Sequence, residues 1–116
     1  MLDENLPLGR GEREYLAVLT SELNSCPYCI QHHKEAFLNH EGSIDAKKAD
    51  FFKKVAKLIT REPWKAGQLK KEAHLYNVSE AEYAHAVMVV SYFNMANRMV
   101  FAQNVQLEKN FKKTCS

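Results

Sequence analysis

Two cysteines separated by two residues are the feature of the sequence that most directly suggests chemistry. Cys26 and Cys29 enclose Pro27 and Tyr28. On a helix, Cα atoms three residues apart lie roughly 5 Å from each other, within the range of about 4.4–6.8 Å that a disulfide requires. The pair can therefore open and close with little backbone movement. This spacing predicts a dithiol that can be oxidised reversibly.

The position of the pair favours reactive thiols. Pro27 suits the first position of a helix that begins at Cys26, where free N–H groups and the helix dipole favour an anion. In such settings the pKa of a thiol falls from about 8.5 into the range of roughly 3.5–7.5. His33 follows Cys29 by four residues, so it can accept the thiol proton or stabilise the thiolate. His32 competes for that role, and spacing does not choose between the two histidines.

Other uses of the two cysteines stay open at this point. A structural zinc ion needs four ligands, and Cys26, Cys29, His32 and His33 could supply them only from about one turn of helix. The cysteines could also be buried and inert. Attachment of a c-type haem is excluded, because Ile30 stands where that motif requires histidine. We expect no metal ion and no cofactor.

The overall composition is that of one globular domain spanning residues 1–116. Hydrophobic residues make up 46% of the chain and charged residues 26%, with a formal net charge of +2. Nucleic-acid binding usually needs a strongly basic patch, so this charge gives no reason to expect it. Three cysteines are too few for a secreted disulfide scaffold. Cys115, in a polar tail, is not expected to pair with the other two.

The ends and the apolar segments indicate a soluble cytoplasmic protein. The N-terminal residues 1–5 are acidic and lack the basic and apolar parts of a signal peptide. The longest apolar stretch, residues 86–90, is far shorter than a membrane span. In the cytoplasm a thiol pair is more often redox-active or metal-binding than structural.

Hydrophobic periodicity predicts an all-α domain of five or six helices. The pattern is helical nearly everywhere, and no alternating run suggests a strand. The fifth helix has the clearest start, since Ser79 and Glu82 form a Ser-x-x-Glu capping box. Its middle is apolar on every side, which predicts a neighbour on each face, including another subunit. A third helix is expected to follow an entry at residues 43–45, to carry the apolar residues of 51–59 and to end near Pro63. The other predicted helices span about residues 11–24, 26–40, 64–76 and 79–103.

Four positions together resemble a known signature. Glu14, Cys26, Cys29 and His33 are similar in type and spacing to the motif of the alkylhydroperoxidase (AhpD-like) branch of the carboxymuconolactone decarboxylase family. Residues 21–33 and 90–98 resemble its peroxidase-related subgroup, and the likeness extends over about residues 5–108. The resemblance implies an all-α AhpD-like fold that assembles as a trimer or hexamer.

The resemblance also implies roles for these residues. Cys29 would be the peroxidatic cysteine, and Cys26 the resolving thiol and proton donor. His33 and Glu14 would complete a proton relay. A hydroperoxide would be the substrate, in an antioxidant role, and an external dithiol would be the reductant. That dithiol would be carried by a lipoyl-bearing or thioredoxin-like partner.

Tyr28 departs from the pattern and supports an alternative function. Many members of the branch carry histidine between the cysteines, whereas a phenol has a reference pKa of about 10 and is a poor proton shuttle near neutrality. Tyr28 and His32 are therefore auxiliary candidates only. One alternative is a disulfide reductase or redox relay with little peroxide activity. Another is a non-enzymatic oligomeric module whose cysteines are structural or bind zinc.

Overall fold

The described part of the chain is helical throughout, as the sequence predicts. The computed structural model describes residues 6–40 and 42–105, and no strand occurs in these ranges. Short 3-10 helices at Pro63–Lys65 and Ala73–Tyr76 lie on either side of the fourth α-helix. The α-helices of the described part are α1 (Arg10–Leu23), α2 (Pro27–Asn39), α3 (Ala46–Arg61), α4 (Gly67–Glu72) and α5 (Glu80–Ala102).

Side-chain caps fix where the longer helices begin. The capping box predicted for α5 is present: Ser79 Oγ accepts the Glu82 N–H at 3.1 Å, and Glu82 Oε1 accepts the Ser79 N–H at 3.0 Å. Asp45 caps α3 by accepting the Lys48 N–H at 3.2 Å. These contacts satisfy backbone donors that the first turn of a helix leaves without partners.

The fourth predicted helix is shorter than expected. The sequence predicts one helix over about residues 64–76, but only Gly67–Glu72 is α-helical. Pro63 begins a separate 3-10 helix, and Asn77, with φ of 60°, ends the second one in the left-handed region. A weakly apolar segment between two such breaks has too few buried side chains to sustain one continuous helix.

The hydrophobic core lies between α1, α3 and α5. Leu16 of α1, Phe51 and Val55 of α3, and Val90 of α5 are each 0% exposed. Leu19 and Leu23, which share the apolar face of α1 with Leu16, pack at the edge of this core. The second helix packs mainly against α1, so α1 and α2 form a helical hairpin on one side of the core. None of the described helices combines the length and apolar character that a bilayer span requires.

Candidate active site

Cys26 lies at the junction of α1 and α2. The first helix ends in a Schellman motif, in which the Cys26 N–H donates to the carbonyl of Ser21 at 3.0 Å and the Ser25 N–H to that of Glu22 at 3.1 Å. Ser25 occupies the left-handed position of this motif, with φ of 53°. On its other side, Cys26 is the N-cap of α2, and its Sγ accepts the Cys29 N–H at 3.4 Å. The cysteine that ends one helix therefore also starts the next.

Cys26 and Cys29 are joined by a disulfide. Their Cα atoms lie 5.3 Å apart, in agreement with the separation expected for two residues three positions apart in a helical turn. Cys26 is 0% exposed and Cys29 is 4% exposed. The two thiols are therefore an oxidisable pair at the start of a helix, and the disulfide is almost fully covered by the protein.

Glu14 and His33 meet across the α1–α2 hairpin. Glu14 Oε2 lies 2.6 Å from His33 Nδ1, and Glu14 is 5% exposed. The two helices run in opposite directions, so the seven residues from Cys26 to His33 return the chain toward the level of Glu14. Spacing could not distinguish His33 from His32, and in the structure the ring of His33 is paired with this carboxylate.

Arg10 completes the environment of Glu14. Its Nε lies 2.9 Å from Glu14 Oε1, one turn earlier on α1. Burial by itself would raise the pKa of Glu14. The hydrogen bond and charge of His33, together with those of Arg10, outweigh that effect and hold the pKa below its ordinary value of 4.5. Glu14 is therefore a buried carboxylate that stays ionised near neutral pH.

Aromatic contacts orient the two adjacent histidines differently. The ring of Phe93 on α5 meets the ring of His33 edge-on, with centroids 4.6 Å apart. The ring of Tyr28 lies against that of His32, with centroids 4.3 Å apart. The auxiliary candidates Tyr28 and His32 thus contact each other, one turn apart on α2.

Arg10 and Phe93 are site residues that the sequence did not identify as such. Arg10 precedes Glu14 by four residues, which is the spacing of an ion pair on one helix face. The sequence alone therefore indicates this contact. Phe93 belongs to an apolar segment of α5, and nothing in its local sequence distinguishes it from other core aromatics. Its contact with His33 depends on how α5 packs against the hairpin.

The described residues do not form a metal site. Among them, no group of three or more His, Cys, Asp and Glu side chains is arranged to hold a metal ion. Sulfur atoms joined in a disulfide carry no thiolate for zinc. Cys115 lies outside the described residues.

A cavity of about 310 Å³ lies between the start of α2 and the end of α5. Its walls are mostly apolar and include Cys26, although no surface of that residue reaches solvent. The cavity therefore borders Cys26 without exposing that residue to solvent. Its other lining residues are Pro27, Tyr28, Val100, Phe101, Asn104 and Val105.

Comparison with known proteins corrects the family assignment made from the sequence. No protein-family model matches the chain. The assignment to the alkylhydroperoxidase branch of the carboxymuconolactone decarboxylase family is therefore wrong. It depended on four positions and two short segments. Those few residues belong to a helical hairpin and its neighbouring helix. A hairpin with the same local geometry can form in a chain whose other residues differ from those of the family.

The chain is distantly similar to a curated protein. A Sestrin homolog from Drosophila melanogaster is 24% identical to it over 112 residues, in a match that covers 83% of this chain. The same match covers 22% of the relative, so the chain spans about a fifth of the length of that protein. A similarity of this extent does not establish membership of a family.

Proposed function

We propose that the protein is a thiol-dependent peroxidase that reduces hydroperoxides through a Cys26–Cys29 dithiol/disulfide cycle, in an antioxidant role. The observation that carries the proposal is the disulfide at the N-terminus of α2, with the Glu14–His33 pair on the same hairpin. A reversible thiol pair supplies the two electrons that reduction of an O–O bond requires. The ion pair supplies a route for the protons.

In the oxidative half of the cycle, the Cys29 thiolate attacks one oxygen of the hydroperoxide. The O–O bond breaks, a sulfenic acid forms on Cys29, and the alkoxide leaves as the alcohol after taking a proton. The Cys26 thiol then attacks the sulfur of Cys29. The disulfide forms, and hydroxide leaves as water with the proton that Cys26 gives up.

His33 and Glu14 would handle these protons. His33 follows Cys29 by one turn on α2, and its Nδ1 is held by the Glu14 carboxylate at 2.6 Å. That contact fixes the ring orientation and leaves Nε2 as the nitrogen that can exchange a proton with the site. Glu14 stabilises the charge that the ring gains, because its own pKa is held low.

In the reductive half, an external dithiol restores the cysteines. One thiolate of the dithiol attacks Cys29 Sγ, and the Cys26 sulfur leaves as a thiolate at the N-cap, where the Cys29 N–H and the helix dipole stabilise it. The second thiol of the reductant then attacks the mixed disulfide. Cys29 is released, and the reductant departs as its own disulfide.

The burial of the disulfide favours a small oxidant over a protein disulfide. Cys26 and Cys29 have 0% and 4% exposure, so a bulky disulfide substrate, like the external dithiol of the reductive half, reaches a sulfur only when the covering side chains move. A peroxide oxygen needs far less room. The cytoplasmic location expected from the sequence stays a prediction, as does the identity of the dithiol partner.

Peroxide consumption by the purified protein tests the proposal. With dithiothreitol as reductant, we expect wild-type protein to consume an organic hydroperoxide and Cys29→Ser to lose at least about 100-fold of that rate. Cys115→Ser is the matched control, because it removes a thiol outside the pair, and we expect it to retain activity. Equal rates in wild type and Cys29→Ser would overturn the proposal.

Mass spectrometry after one equivalent of peroxide gives an independent test. Reduced protein should lose two hydrogens, and the loss should map to the peptide that carries Cys26 and Cys29. A protein that exchanges rapidly with small disulfides but shows no such loss would instead be a disulfide reductase. That second function is favoured by Tyr28, because a phenol between the two cysteines is a poor proton shuttle near neutrality.

A further inference from the structure

We infer that Asn97 of α5 is a positioning residue for the thiol pair, because it holds the turn that presents Cys26. This inference rests on the proposed redox function of Cys26 and Cys29. The side-chain amide of Asn97 is hydrogen-bonded to Ser21 and Asn24. It acts on Cys26 through the backbone that precedes this cysteine. It is also 0% exposed, although it lies in the most apolar of the described helices.

The first connection runs from Asn97 through Ser21. Asn97 Nδ2 donates to Ser21 Oγ at 3.1 Å. The carbonyl of the same Ser21 accepts the Cys26 N–H at 3.0 Å. Ser21 is itself 0% exposed, so neither hydrogen bond competes with solvent. Fixing Ser21 therefore fixes the acceptor that holds the backbone of Cys26.

The second connection runs through Asn24, which caps the C-terminus of α1. Its Nδ2 donates to Asn97 Oδ1 at 2.9 Å and to Asn94 Oδ1 at 3.0 Å. Asn94 is held in turn by Thr60 of α3, whose Oγ1 accepts the Asn94 Nδ2 at 3.0 Å. Two residues of the Schellman motif that precede Ser25 are thus both tied to α5.

A buried amide in an apolar helix is costly unless its hydrogen bonds are made. An apolar residue at position 97 would bury more hydrophobic surface, so hydrophobic packing does not account for asparagine here. What the amide adds is a directional connection between α5 and the turn. Ser25 in that turn has a positive φ, which a serine adopts at some cost, so the turn needs such support.

Releasing the turn should change the redox equilibrium of the thiol pair. With Ser21 fixed, Cys26 is ordered before the disulfide forms, and less conformational entropy is lost on oxidation. Without Asn97, the reduced form gains freedom and becomes relatively more stable. The disulfide should then be easier to reduce.

The test measures the thiol–disulfide equilibrium constant against dithiothreitol for the purified chain. We expect Asn97→Leu to raise the equilibrium constant for reduction by about tenfold, which for a two-electron couple is about 30 mV. Ser21→Ala removes one hydroxyl and keeps the carbonyl that holds Cys26, and we expect an increase of about threefold. If Asn97→Leu does not fold, Ser21→Ala still tests the inference.

Val55→Ala is the matched control. Val55 lies in the core on α3, at 0% exposure, so this change lowers stability without touching the turn. It should leave the redox equilibrium within about twofold of wild type. An unchanged equilibrium in both Asn97→Leu and Ser21→Ala, or an equal change in Val55→Ala, would overturn the inference. Because no peroxide is used, failure of the peroxidase proposal would be visible separately.

Discussion

The carboxylate of Glu14 is ionised in a place where burial alone would favour the neutral acid. It is 5% exposed, and the partners that keep it charged approach from two directions, His33 from α2 and Arg10 from its own helix. Their combined effect exceeds the desolvation penalty and lowers the pKa. Glu14 therefore depends on neighbours from two helices to remain ionised.

This pKa shift predicts how stability depends on pH. A carboxyl whose pKa is lower in the folded than in the unfolded chain stabilises the fold above its ordinary value of 4.5, and that contribution is lost as the pH falls through the folded pKa. Wild type should therefore lose more stability than Glu14→Gln on acidification. Urea unfolding in steps from about pH 6 to about pH 3 measures the difference.

The control for this prediction is Glu35→Gln, a change of the same type on α2. This variant keeps Glu14, so it should show the same loss of stability on acidification that Glu14 gives wild type. If the difference between wild type and Glu14→Gln stayed constant over the whole range, the lowered pKa would be wrong.

Single residues also show what the sequence could and could not predict about the site. Cys26, Cys29 and His33 lie within one segment, so helical spacing was enough to place them on neighbouring turns. Glu14 lies some 15 Å by helical rise from the end of its own helix. His33 reaches it only because α2 runs antiparallel to α1. That contact is tertiary, and local spacing carries no information about it.

At the scale of the helices, Lys48 connects two N-termini. Its Nζ lies 3.0 Å from Glu12 Oε2 on α1 and 2.8 Å from Glu82 Oε2 on α5. Both glutamates also accept a backbone N–H at the start of their helices, from Gly9 and Ser79. One lysine of α3 thus joins the capping groups of the two helices against which α3 packs.

Removing this connection should lower stability. We expect Lys48→Met to reduce the free energy of unfolding by about 1–2 kcal/mol, because two partly buried carboxylates lose their shared partner. Lys47→Met, at the exposed neighbouring position, is the matched control and should change it by less than about 0.5 kcal/mol. Chemical denaturation of both variants measures the effect, and equal losses would contradict the prediction.

The helices differed in how well the sequence predicted them. The capping box of α5 and the apolar face of α1 are local patterns, and both elements lie where these patterns indicate. The segment after Pro63 has no comparable pattern. Its division into two 3-10 helices and α4 follows from turns whose geometry depends on packing around Leu69 and Ala73, which are each 2% exposed.

At the scale of the whole molecule, α5 exposes an apolar stripe. The side chains concerned recur at helical spacing and are between 48% and 69% exposed, unlike the core face of the same helix. An exposed apolar stripe of this kind often marks an association surface. The stripe consists of Met88, Tyr92, Met95 and Met99.

We expect this stripe to pack against a second copy of the chain. The sequence-based expectation of a trimer or hexamer depended on the family assignment, whereas the stripe supports self-association without a fixed number of subunits. Light scattering after size-exclusion chromatography should give an oligomer for wild type and a smaller species for Met95→Glu. Gln68→Glu, an exposed change on α4, is the control. A monomeric wild type would contradict the prediction.

The two sets of contacts that define the thiol site differ greatly in sequence separation. Glu14 and His33 are 19 residues apart, whereas Asn24 and Ser21 are 73 and 76 residues from Asn97. Closing the longer loops costs more entropy, and local contacts form faster. During synthesis the α1–α2 hairpin can therefore form long before α5 exists. The nascent chain carries both thiols before it carries the helix that restrains them, so the pair reaches its final redox properties only when translation has passed position 97.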